Sequence, residues 1–249
     1  MIRTLLAIIT TLAIAAPALR ADPKDDIQAA VQKLAESPSY SWSSDVVGGM
    51  GRGTQDGKTE KDGYTTVTLQ LRDTSFDIVI KGVKAVVKTD SGWKTTSEVI
   101  SDEGSDNAGG PPGPEFFAAM VARNFKTPVQ QALDNIDALS NIQKTDDGYT
   151  ADLSEDAIKA MVARPRRTAA TTNPDAATSM PSPNISNASG TVKITMADGN
   201  LTQLMVHVTA TITINGNDRD IDRTVTTKFS DVGSTKVDVP DDAKAKLAS

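Results

Sequence analysis

The feature that most constrains this chain is alternation with period two. Tyr40, Trp42, Ser44 and Val46 share one parity, and the pattern returns in Val67, Leu69 and Leu71, in Phe76, Ile78 and Ile80, and in Val83, Ala85 and Val87. Between them stand mostly Thr, Ser, Lys, Gln and Asp, so each run has one apolar and one wet face, as a half-buried strand does. Residues 51–63 join the first two runs through Asp56-Gly57 and Asp62-Gly63, and Asp90-Ser91-Gly92 precedes Trp93, which is hairpin chemistry. Such short turns predict an antiparallel meander. Alternation resumes at Val192, Ile194 and Met196, turns at Asp198-Gly199 and continues through Leu204, Val206, Val208, Ala210, Ile212 and Ile214. Asn215-Gly216 closes that strand onto Ile221, Val225 and Phe229, and residues 236–239 read as a last strand before a short tail.

Helical spacing interrupts this pattern in a few places. Ile27, Ala30, Val31 and Leu34 form an i, i+3, i+4, i+7 stripe that starts behind Asp22-Pro23 and stops at Ser37-Pro38. A Gly/Pro/Asp-rich loop at 101–114 opens onto Phe116, Phe117, Met120, Val121 and Phe125, again at helical spacing. Thr127 and Pro128 suit the N-cap and first position of the next helix, which carries Val129, Ala132, Leu133 and Ile136. A hairpin closed by Asp146-Asp147-Gly148 follows, and Ser154-Glu155-Asp156 starts a further helix. Residues 164–189, with four prolines among Ala, Thr, Ser and Asn, read as a flexible insertion loop.

The first 21 residues have the plan of a Sec-type signal peptide: Arg3, an apolar run over 5–16, then Ala16-Pro17-Ala18 and Ala21. The run is too short to span a bilayer, so no transmembrane anchor is expected. The chain has no cysteine, and so neither a residue for lipid acylation nor a disulfide. A periplasmic or secreted protein is expected, with residues 22–249 as one domain and a monomer. Removing Arg3 and Arg20 takes the formal charge from −6 to −8, which repels nucleic acid and anionic lipid surfaces.

Catalytic spelling is sparse. Residues 51–59 miss the phosphate-loop spacing because Arg52 stands where a glycine is required. His207 is the only histidine and falls on the wet face of its strand, so zinc sites and Ser-His-Asp or Cys-His arrangements lack their parts. Asn217, Asp218, Asp220 and Asp222 offer oxygen ligands for calcium without the EF-hand spacing, and solvated acids at a hairpin end are the plainer reading. We therefore expect no enzyme, no metal and no cofactor.

The order of elements, with Ser39-Tyr40-Ser41-Trp42, Asp147-Gly148-Tyr149, the run over 199–214, and Phe229-Ser230-Asp231-Val232-Gly233 ahead of Val237-Asp238-Val239-Pro240, resembles the LolA/LppX/LprG-like superfamily of exported lipoprotein carriers and lipid-binding proteins. The chain departs from the LppX and LprG members in lacking their acylated cysteine. What the resemblance implies is an α+β fold: a strongly curved, half-open, barrel-like antiparallel sheet with helices over its concave face and an apolar space between. On that footing Phe116, Phe117, Met120 and Phe125 are expected to form a movable lid, with Trp42 and Trp93 lining the sheet side. The expected function is a non-catalytic carrier or binder of a lipid, lipoprotein or other apolar ligand. The alternative is an envelope protein-interaction or sensing module, whose partner binds a sheet edge or the 164–189 loop.

Overall fold

The computed structural model describes residues 22–49, 53–71, 74–106, 113–163 and 184–248. The leader and the 164–183 part of the expected loop lie outside them. A six-strand meander, β1 (Ser39–Gly48), β2 (Gly53–Glu60), β3 (Thr65–Leu71), β4 (Thr74–Lys81), β5 (Lys84–Thr89) and β6 (Gly92–Thr95), follows helix α1 (Pro23–Ala35). A second meander, β7 (Leu139–Thr145), β8 (Gly148–Leu153), β9 (Asn184–Ala197), β10 (Asn200–Ile214) and β11 (Asn217–Ser230), returns to pair with β1. The result is one eleven-stranded antiparallel sheet, ordered β6-β5-β4-β3-β2-β1-β11-β10-β9-β8-β7, which stays open between β6 and β7.

This topology dictates what covers the sheet. The chain leaves one edge at β6 and re-enters at the other edge as β7, so the connecting segment must cross from edge to edge. It does so as helices α2 (Thr96–Asp106), α3 (Pro114–Arg123) and α4 (Pro128–Asn135). With α1 and α5 (Glu155–Val162) they pack on one face, where Ile27, Val31, Leu69, Ile78, Val87, Val129, Ile158 and Ile194 belong to one continuous core. Tyr149, 5 % exposed, donates its hydroxyl to Asp26 of α1 at 2.6 Å, tying that helix to β8. Thr127 and Ser154 cap α4 and α5 as expected.

Several expectations need correcting. Residues 53–60, read as a connection, form β2, and Asp56-Gly57 lies in mid-strand. The polar run 96–106, read largely as loop, is α2. It opens with a capping box in which Glu98 N–H donates to Thr95 Oγ1 (3.2 Å) and Thr95 N–H to Glu98 Oε2 (2.7 Å). Val83 belongs to a turn and is fully exposed. Residues 184–189 are strand, paired with 209–213 of β10 across a bulge. Residues 236–239 are no strand, and the tail after Pro240 is helix α6 (Asp241–Ala248). Ala243 and Leu247 of α6 bury against Val79, Val86 and Val239 on the opposite face of the sheet, in a second core.

Glu98 joins α2 to α6. Its carboxylate accepts from Lys246 at 2.7 Å, and this bond, with the Thr95 backbone and hydroxyl donors, lowers its pKa from 4.5 to about 2. A carboxylate whose folded pKa is depressed stabilises the fold above its unfolded value and loses that contribution as pH falls through the folded one. Between about pH 4.5 and 2 the wild type should therefore lose melting temperature more steeply than Glu98→Gln. Parallel curves for the two proteins would show that the contact does not hold the carboxylate.

Candidate functional site

The pleat sorts β1 so that Tyr40, Trp42, Ser44, Val46 and Gly48 share the helix-covered face. Trp42 is 3 % exposed and stacks on Phe125, ring centroids 5.9 Å apart at 23°. Its cross-strand partner on β2 is Gly57, and a Cβ there would overlap the indole ring. The glycine that looks like a turn residue is thus the space the indole occupies. The same packing leaves Trp42 Nε1–H buried without an acceptor among the described residues, a group that ordinarily costs about 1–3 kcal/mol to strand.

Of the residues expected to line a cavity, Trp42 and Phe125 are brought together across the sheet face, and Phe116 and Phe117 meet each other on one helix. Helix α3 meets the sheet through Ala118, Ala119 and Ala122, at 0, 0 and 3 % exposure, because side chains this small let its backbone approach β4 and β5 closely. Among its bulky residues Val121 packs against the core in part, and Phe116 and Met120 are half-buried. Phe116 and Phe117 pair edge-to-face at 6.1 Å, and Phe117 is 51 % exposed. Trp93 stands opposite Lys88 on the other face of the sheet, packed with the α6 core. It shares no face with Trp42.

Beyond the filled core, the same face carries a floor set by register. Val46, Val225, Val206 and Val192 stand side by side across β1, β11, β10 and β9, the first three only half-buried. The next row is Gly48, Arg223, Val208 and Gly190, followed by Ile221 beside Ala210, then Arg219, Ile212 and Ile185. Centrally, Ser44 and Thr227 share a buried hydroxyl hydrogen bond at 2.7 Å. Arg219 and Arg223 escaped the sequence reading. Their signal is the alternation of Asp and Arg over 218–223, which puts both arginines on this face and Asp218, Asp220 and Asp222 on the other. There the acids take cross-strand partners: Thr213 donates to Asp218 (2.6 Å), Thr211 to Asp220 (2.9 Å), and His207 pairs with Asp222 (2.9 Å). Among the described residues no group of three or more His, Asp or Glu stands together as a metal site. An outer groove of about 350 Å³ lies beside His207, lined by Asn141, Thr150, Asp152, Lys193 and Met205.

No family model and no curated protein matches this chain. Among solved structures it is similar to the Mycobacterium tuberculosis lipoprotein LppX, with 11 % identity, 88 % of this chain and 98 % of that one covered, and a TM-score of 0.46. It is also similar to LprF from Mycobacterium bovis, with 10 % identity, 89 % and 97 % covered, and a TM-score of 0.43.

The two kinds of aromatic environment should separate in mutants. Gly57→Ala should cost about 1–3 kcal/mol, because its methyl displaces the Trp42 ring. Phe117→Ala, at a half-exposed site, should cost within about 0.5 kcal/mol. Urea unfolding measures both, and a larger loss for Phe117→Ala would place that side chain in the core.

Proposed function

We propose that this chain is an exported, non-catalytic carrier or binder of an apolar ligand, which lies on the β1–β11–β10 floor of the helix-covered face. The observation that carries this reading is the row Val46, Val225 and Val206: three apolar side chains in register on the helix-covered face, yet only half-buried. A sheet face built for stability alone would close such a row. The chain also has one histidine and no cysteine, and that histidine is engaged by Asp222 on the outer face, which favours binding over catalysis. Export rests on the leader pattern in residues 1–21. No helix among the described residues is long and apolar enough to cross a membrane. The interaction-module alternative draws less support, because edge strand β7 is broken by a register shift between Ser140 and Gln143, with Asn141 at a φ of 49°, a device that blunts edge pairing.

The test is a titration of the chain from residue 22 onward with cis-parinaric acid, a fluorescent fatty acid. Saturable binding is expected, at least about tenfold weaker in Val225→Gln, which puts a polar group on the floor, and unchanged in Thr226→Gln on the outer face. No binding by the wild type, or equal binding by both variants, overturns the reading. Intact mass of the exported protein should place its N-terminus within a few residues of Asp22, and a mass that retains Met1 would remove the export claim.

A further inference from the structure

Arg223 is the anomaly of the floor. In a chain of formal charge −6, the helix-covered face of β1, β9, β10 and β11 carries Arg219 and Arg223 and no acidic residue at all. The nearest carboxylate along the strand, Asp222, points through the sheet to His207. Arg223 stands between Gly48 on β1 and Val208 on β10. Its stem lies against Gly49, where a Cβ would come within 3.4–3.7 Å of Arg223 Cβ, Cγ and Cδ. Gly49 packs on that stem at ordinary van der Waals distance, whereas Gly48, at a φ of 83°, approaches the Asp222 carbonyl. The side chain is exposed to solvent, the protein around it lowers its pKa by desolvation, and it has no ion-pair partner among the described residues. Arginine stays charged nonetheless. With no carboxylate beside it among the described residues, that charge is left for an anion from outside the chain.

The one-row offset between Arg223 and Val46, Val225 and Val206 says what kind of anion. A guanidinium takes a carboxylate or phosphate through two parallel N–H···O bonds, and the adjoining valines take hydrocarbon. We propose that Arg223 is a headgroup site, so that the ligand of this floor is an acyl chain ending in a carboxylate or phosphate. Arg219, four residues away on the same face and about 13 Å along the strand, is too far to share the same contact. This inference rests on the binding function proposed above and adds the charge class of the ligand.

Oleate and oleyl alcohol share a chain and differ in the head, so their competition for a neutral fluorescent probe isolates the headgroup. The wild type should prefer oleate by about tenfold at low salt, the range of one hydrogen bond to a charged group. Arg223→Gln should lose that preference while its affinity for oleyl alcohol stays as in wild type, which also shows that the variant is folded. Arg223→Lys should keep part of it. Acetate and inorganic phosphate at millimolar concentration should displace nothing. Binding of both oleyl ligands without preference, a preference that survives in Arg223→Gln, or equal weakening of both ligands by that variant overturns the headgroup site alone. Arg223-dependent binding of inorganic phosphate would make it a site for free anions and overturn the acyl ligand. Failure of the wild type to bind either oleyl ligand overturns the binding function itself.

Discussion

The pairing of β1 with β11 is the constraint on which the rest depends. It joins two meanders whose partners lie up to 189 positions apart, from Ser41 opposite Ser230 to Gly48 opposite Arg223. Side chains alternate with period two, so a slip of one residue would exchange every inward and outward position. It would put Asp222 and Thr224 on the floor and Trp42 outside the aromatic core. The Ser44–Thr227 hydrogen bond at the middle of the pair, with both residues buried, penalises such a slip because each hydroxyl would lose its partner in a dry place. Strand pairing at this sequence distance closes late and slowly, so the register must be well specified once it forms.

That register also explains the division of charge. On β11 one strand serves two surroundings, an outer face of Asp–Thr and Asp–His pairs in water and an inner face of Ile221, Val225 and Phe229 interrupted by two arginines. The outer pairs are exposed and each contributes a fraction of a kcal/mol. Placing arginine inward among valines has no comparable structural return.

The strands with alternating hydrophobes and the capped helices α1, α4 and α5 were legible because their signals are local. The errors have local causes too. β2, Gly-Thr-Gln-Asp-Gly-Lys-Thr-Glu, has no apolar alternation, because its place opposite Trp42 calls for a glycine rather than a hydrophobe. Helix α2 is polar along most of its length and announces itself only in the Thr95–Glu98 capping box, a signal that was present and overlooked. The spacing of helix α3 is plain in the sequence but its buried side is not, because close approach to the sheet selects the alanines over the large residues. The resemblance implies Trp93 on the same side as Trp42, whereas the hairpin pairing Thr89 with Gly92 fixes its parity on the α6 face. Arg223 became visible only when the register set it beside Gly48.

The way α3 is held bears on how a ligand would enter. Its contact with the sheet buries three alanine methyls, each contributing about 0.8 kcal/mol. The Phe125–Trp42 stack just past its end adds about 0.5–1.5 kcal/mol beyond area burial. Detaching this helix is thus a matter of about 3–4 kcal/mol, comparable with the about 2–5 kcal/mol that losing one large side chain from the core beneath α5 would cost. On the binding reading, each methylene of an acyl chain laid on the valine floor returns about 0.8 kcal/mol, so half a dozen of them offset the lifted cover. Larger residues in place of Ala118, Ala119 and Ala122 would either hold α3 off the sheet or fix it there more firmly. Alanine gives a helix that packs closely on β4 and β5 and can still be lifted at a cost of a few kcal/mol.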